Sequence, residues 1–151
     1  MTDAPHRSDL DDPLDPPSGW HREHTQRYVA TGGADGHHWR GTTVLLLTTR
    51  GRRTGRARRT PLIYGRDGDT YLIVASMGGS DRHPQWYLNL AADPGVRLQV
   101  GAETFDATAR TATPQEKARL WPVMTAQWPG YDDYQAKTAR DIPLVILTPV
   151  G

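Results

Sequence analysis

Short apolar runs separated by glycine-rich turns dominate the chain, and their spacing predicts strands. Residues 42–49 (TTVLLLTT) are apolar or β-branched throughout, the pattern of a strand buried on both faces. Arg50-Gly51-Arg52-Arg53-Thr54-Gly55 breaks that run, and a second strand follows over about 59–64. An Asp67-Gly68 turn leads into a third strand at 70–76 (TYLIVAS). Residues 96–100 and 103–110 alternate polar and apolar positions about a Gly101-Ala102 turn, and 142–148 (IPLVILT) supplies a sixth strand.

Helical periodicity appears at four places. Trp20, His24 and Tyr28 share one face of a helix that stops at Gly32-Gly33. Pro84 opens a helix carrying Trp86, Leu88 and Leu90, ended by Asp93-Pro94-Gly95. Thr113-Pro114-Gln115-Glu116 is a capping box for a third helix, which Pro122 is expected to kink or split. A last short helix covers about 131–138. Six strands joined largely by hairpins, with helices between strand groups, predict a mainly β fold: an antiparallel barrel with accessory helices, not a doubly wound sheet.

The length of 151 residues fits one domain. Residues 1–18 are rich in Asp and Pro and poor in apolar side chains, which reads as a disordered tail before a domain at 19–151. The absence of cysteine excludes a disulfide scaffold, a thiolate metal site and a cysteine nucleophile. No run approaches the roughly 18 apolar residues of a membrane span, and the opening residues lack the apolar region of a secretory signal. A soluble cytoplasmic protein is the expectation.

A formal net charge of +1 argues against a general nucleic-acid packager, yet it hides a strong segregation. Residues 1–39 hold seven acids against three arginines, whereas 40–66 hold eight arginines and no acid. Six of those arginines (Arg50, Arg52, Arg53, Arg56, Arg58, Arg59) fall in one hairpin. A GC-rich genome accounts for Arg over Lys but not for the clustering. Guanidinium forks bind phosphates and carboxylates, and Gly51 and Gly55 let backbone amides turn toward the same anion. The hairpin therefore reads as a site for a multiply charged anion, with a solvated basic loop as the competing reading. RNA is disfavoured because only Tyr64 stands near enough to stack bases.

Other chemistry is thin. Phosphate loops of the Walker and dinucleotide types are absent, as is a G-x-S-x-G elbow. His21 and His24 share a helix face without a carboxylate to complete a metal site, so no metal is expected.

Four blocks in order carry a resemblance: LLLTTRGRRTGRARRTPLIY, IVASMGG, HPQWYLNLAADPGVRLQV and WPGYDDYQAKTARDIPLVIL. Across about residues 20–150 they resemble the deazaflavin-dependent nitroreductase family. The resemblance implies a split β-barrel like that of FMN-binding oxidoreductases, holding the reduced 8-hydroxy-5-deazaflavin coenzyme F-420 in place of FMN. That coenzyme, with its phosphodiester and glutamate tail, suits an arginine loop. Arg52, Arg53, Thr54 and Gly55 are implied at the phosphate, with Arg58 and Pro61 alongside; Arg50, Arg56 and Arg59 add charge for the glutamates. Ser76, Met77 and Trp86 are implied at the deazaflavin ring, although many relatives have lysine where this chain has Met77. Core packing is the reading that residue spacing favours for Trp86. Trp128, Tyr131 and Tyr134 are implied around the acceptor, with Tyr131 or Tyr134 donating a proton or hydrogen bond to a quinone or nitroaromatic.

The expected activity is hydride transfer from the reduced coenzyme to such a hydrophobic acceptor. An FMN enzyme of the same fold and a non-catalytic coenzyme- or lipid-binding protein are the alternatives. No nucleic-acid partner is expected, and membrane contact is at most weak because the acidic start of the chain is repelled by anionic headgroups.

Overall fold

In a computed structural model that describes residues 7–150, the run at 42–49 becomes the spine of the sheet. This strand, β2 (Thr42–Arg50), is preceded by β1 (His38–Trp39) and followed by β3 (Ala57–Ile63), both antiparallel to it. It also pairs with β6 (Gly95–Val100). From β6 the sheet continues through β7 (Glu103–Thr111) and β8 (Leu144–Pro149) to β5 (Thr70–Val74) and β4 (Gly65–Asp67), again antiparallel throughout. β3, paired with β2 off this path, and β4, at the path's far end, are separated in the chain by Tyr64 alone. One residue spans at most about 3.6 Å, so the sheet has to curl until its ends meet.

The predicted antiparallel barrel is therefore present, with eight strands among the described residues where six were expected. The two additions, β1 and β4, are too short to leave an alternating pattern. The four helices are α1 (Gly19–Ala30), α2 (Gln85–Ala92), α3 (Pro114–Gln127) and α4 (Gly130–Lys137). Pro122 does not split α3, which runs through it as one helix; the capping box at Thr113 and Glu116 starts it as expected.

Alternation along the strands sorts the core into layers. Leu45 and Leu47 point inward with Tyr71, Ile73, Leu98, Val145 and Leu147. Leu72, Val74, Leu144 and Ile146 face outward and are covered by Leu120 and Met124 of α3 and Tyr131 of α4. Val44 and Leu46 face outward beneath Tyr28 of α1. The Tyr28 hydroxyl donates to the Val44 carbonyl at 2.9 Å and accepts from the Gly101 amide at 2.7 Å. Tyr28→Phe strands both backbone groups, so we expect about 1–3 kcal/mol less stability, read as a lower urea midpoint at unchanged slope.

The disordered tail expected at 1–18 is corrected over the part that is described. Residues 1–6 lie outside the described residues. From Arg7 onward the segment lies on the barrel: Ser8–Leu10 forms a 3-10 turn and Leu10 is buried. The Leu14 amide donates to the Ala57 carbonyl, and the Arg59 amide donates to the Leu14 carbonyl, each at 2.9 Å. These bonds pair Leu14 with β3 along its exposed edge, the place where a strand tolerates a proline such as Pro61. Arg7 pairs with Asp93, Asp11 with Arg97, and Asp15 with Arg59. Composition describes the segment as unable to order itself; its partners stand 44 to 86 residues away in the chain.

Candidate active site

The arginine hairpin is the six-residue loop 51–56 between β2 and β3. It is tight: the Gly51 amide donates to the Arg56 carbonyl and the Gly55 amide to the Gly51 carbonyl, both at 2.8 Å. Gly55 has φ +72°, which L side chains rarely adopt, and a Cβ on Gly51 would sit 2.9 Å from the Arg56 carbonyl oxygen.

The six arginines divide into three groups. Arg50 lies 3.7 Å from Asp9, Arg59 forms a 2.7 Å pair with Asp15, and Arg56 donates to the Asp12 carbonyl. Arg52 is held by neutral acceptors on α2, reaching Asn89 Oδ1 and Gln85 Oε1 at 2.9 Å each. Its charge remains uncompensated. Arg53 and Arg58 are exposed and have no acidic partner among the described residues. The N-terminal segment thus engages Arg50 and Arg59 through carboxylates and Arg56 through a backbone carbonyl, and leaves Arg52, Arg53 and Arg58 around a cleft of about 290 Å³ that Thr54 also lines. Gly55 turns the loop without lining that cleft.

Two further cavities adjoin this cleft in turn. A middle cavity of about 200 Å³ shares Arg58, Gln85 and Asn89 with the arginine cleft. It shares Thr60 and Trp86 with a larger cavity of about 410 Å³. That larger space is of ligand size. Pro61, Ser76, Met77, Trp86, Trp128, Tyr131 and Tyr134, drawn from five stretches of sequence, all line it. Trp86 both lines the cavity and packs against the barrel core, so the packing reading and the site reading hold together.

Tyr131 is 6% exposed, and burial pushes its phenol well above the usual tyrosine range, with neighbouring Tyr134 adding to the shift. Its hydroxyl has no hydrogen-bond partner among the described residues, yet no buried side-chain oxygen there is left unsatisfied. The hydroxyl is therefore open to the cavity. The Tyr134 hydroxyl accepts from Trp128 Nε1 at 3.3 Å, which leaves its own proton free to donate. Two phenol hydroxyls thus line the cavity.

Packed against α4 beside Tyr134, the turn at Met77–Gly79 is held by Arg140, which donates to the Ser76 and Ser80 carbonyls at 2.7 Å each. Arg140 also donates to His83 Nδ1 at 3.2 Å, which requires a neutral imidazole. Burial first, and then the Arg140 charge, hold His83 below the usual histidine range. Below about pH 6.5 the unfolded chain takes up a proton that this folded imidazole resists, so its contribution to stability is lost as pH falls. We expect the thermal midpoint to drop less steeply with acid in His83→Gln than in the unaltered protein; identical slopes would remove His83 from the linkage.

Sequence reasoning missed the rim of the cavity. Trp20, which shares the α1 face of the buried His24 and Tyr28, is 51% exposed. It stacks on Trp39 with ring centroids 5.4 Å apart, and Trp39 stacks on Trp128 at 5.7 Å. No spacing rule relates these three tryptophans. Gln85 and Asn89 were missed as well; on α2 they are one helical turn apart, the only signal available beforehand. His24 is spent on the Gly36 carbonyl at 2.8 Å, and His21 stacks on Trp20. Among the described residues no helix is long and apolar enough to cross a membrane.

Comparison with known proteins bears on the fold and the family. A FAD-binding protein from Mesorhizobium loti, 14% identical, superposes with a TM-score of 0.51 over 70% of this chain and 78% of its own; the likeness concerns the fold, a split barrel. A solved F420-H2 dependent reductase (FDR-A) is 38% identical, with a TM-score of 0.65 over 69% of this chain and 92% of its own. An F420H(2)-dependent quinone reductase of Mycobacterium tuberculosis (strain ATCC 25618 / H37Rv) is 45% identical over 131 residues, covering 84% of this chain and 88% of that protein. The profile of the F420H(2)-dependent quinone reductases matches residues 20–149, and the chain belongs to that family.

Proposed function

We propose that the protein reduces a quinone with the reduced deazaflavin coenzyme. The observation that carries this reading is the row of three adjoining cavities, cationic at the β2–β3 hairpin and aromatic at the phenols. The donor set fits the coenzyme. Three guanidiniums without acidic partners suit its phosphate and first carboxylates, the middle cavity suits its linker, and a space of about 410 Å³ suits a tricyclic ring beside an acceptor. When bound, the coenzyme supplies the hydride.

The chain's own residues do the rest. Arg52 is pre-oriented by Asn89 and Gln85, so less side-chain freedom is lost on binding the anion. Ser76 and Met77, held by the Arg140 staple, and Trp86 bound the ring end. The Tyr131 and Tyr134 hydroxyls donate hydrogen bonds to the acceptor oxygen as negative charge grows there. Trp128, bonded to Tyr134, fixes the direction of that hydroxyl.

The test is to mix the purified protein with reduced coenzyme and add menadione. We expect acceptor-dependent oxidation of the coenzyme. Coenzyme binding without oxidation would favour a carrier, and a yellow protein with bound FMN would overturn the cofactor assignment. A nitroaromatic added in place of menadione extends the test to the second acceptor class, which the same phenols suit.

A further inference from the structure

The family profile begins at residue 20, and the row of cavities does not. The middle cavity has Thr60, Gln85, Trp86 and Asn89 on one side and Leu14, Asp15, Pro16 and Pro17 on the other. A ligand reaching from the arginine cleft to the phenol pocket has to pass under these four N-terminal residues.

That segment is built as a wall. Leu14 is hydrogen-bonded to β3 through both its amide and its carbonyl. Asp15 receives Arg59 Nε at 2.8 Å and Nη2 at 2.7 Å, a two-pronged pair in which each side chain is 19% exposed. Arg22 of α1 donates to the Pro16 carbonyl at 3.2 Å. Pro16 and Pro17 have locked φ angles, so the wall resists bending between these anchors. Leu14 meanwhile keeps 40% of its surface exposed, an apolar side chain at the middle cavity with nothing yet covering it.

We infer that residues 14–17 form the outer wall of the coenzyme site, latched by the Asp15–Arg59 pair, and that they retain the linker between ring and phosphate. The inference rests on the proposed function. It makes Arg59 a positioning residue, committed to the wall and not to the glutamate tail. It also gives the acidic start of the chain a role that charge alone would not predict, since carboxylates near a polyanion's path would otherwise repel it. Here Asp15 is neutralised by Arg59, and Leu14, Pro16 and Pro17 line the cavity beside that pair. Lateral escape of a bound coenzyme requires the β3 edge bonds and the latch to open together.

Two measurements on the full chain test this. The first is the coenzyme dissociation rate by stopped-flow fluorescence. We expect Asp15→Asn, which keeps the shape but loses the charge assistance, to speed dissociation about tenfold, with a smaller change in association. The second is amide hydrogen exchange at Leu14 and Arg59, whose N–H groups make the edge bonds. We expect the coenzyme to slow both, and inorganic phosphate, which reaches only the arginine cleft, to leave both unchanged. Equal dissociation rates with no added protection would overturn the wall while leaving the proposed function standing. Tighter binding by Asp15→Asn would also overturn it, because the segment would then compete with the coenzyme. Failure of the unaltered protein to bind the coenzyme would overturn the proposed function and the wall with it.

Discussion

Reversing Arg53 and Arg58 together (Arg53→Glu with Arg58→Glu) weakens coenzyme binding at least about a hundredfold, because each charge-assisted contact to the anion contributes roughly 1.5–3 kcal/mol before repulsion is added. These two are the informative positions. Neither has an acidic partner among the described residues, so the thermal midpoint should stay close to that of the unaltered protein. Arg59→Glu is the contrasting case: it puts a second carboxylate against Asp15 and is expected to destabilise the β3 edge. Fluorescence titration at two salt concentrations completes the test. Both side chains are exposed, so the loss of affinity should narrow as salt screens the unaltered protein's advantage. Undiminished binding by the double variant would remove the hairpin from the coenzyme site.

The second large effect belongs to the phenols. Tyr131→Phe and Tyr134→Phe combined should lower kcat by about two orders of magnitude, the usual scale for a lost proton or hydrogen-bond donor at developing charge, with coenzyme affinity little changed. The Tyr131 substitution is unusually clean. Its ring is buried among Trp121, Met124 and Tyr134, whereas its hydroxyl has no partner among the described residues, so the phenylalanine keeps the packing and leaves no stranded group. Its raised pKa keeps the proton in place at neutral pH. Tyr134→Phe loses only the 3.3 Å contact from Trp128. Steady-state kinetics with menadione, beside coenzyme titration, separates the two quantities. Equal loss of affinity and turnover would mean that the tyrosines hold the coenzyme rather than act on the acceptor.

What could be read in the residues, and what could not, follows the range of the interactions involved. Strand β2, the Gly51–Gly55 turn, the α3 capping box and the clustering of arginines rest on neighbours within a few positions, and a local pattern carries that information. The hairpin pattern gave the antiparallel barrel, the resemblance of four ordered blocks added its split type and the candidate site residues, and the structure brings Pro61, Ser76, Met77, Trp86, Trp128, Tyr131 and Tyr134 to one space.

Contacts across long loops left no such trace. Composition made residues 7–18 a free tail, while Leu14 on the β3 edge and Asp15 on Arg59 make them part of the barrel. Local pattern by itself does not distinguish the six clustered arginines, and the resemblance assigned Arg50, Arg56 and Arg59 to the glutamates rather than to the start of the chain. Folding makes them unequal, committing Arg50, Arg56 and Arg59 to the N-terminal segment and leaving Arg53 and Arg58 open. The Trp20–Trp39–Trp128 stack joins three elements that no periodicity relates. Local chemistry writes propensity, turns and charge into the order of residues; which cation meets which acid, and which wall closes a cavity, is settled only when the curled sheet brings distant segments within hydrogen-bonding reach.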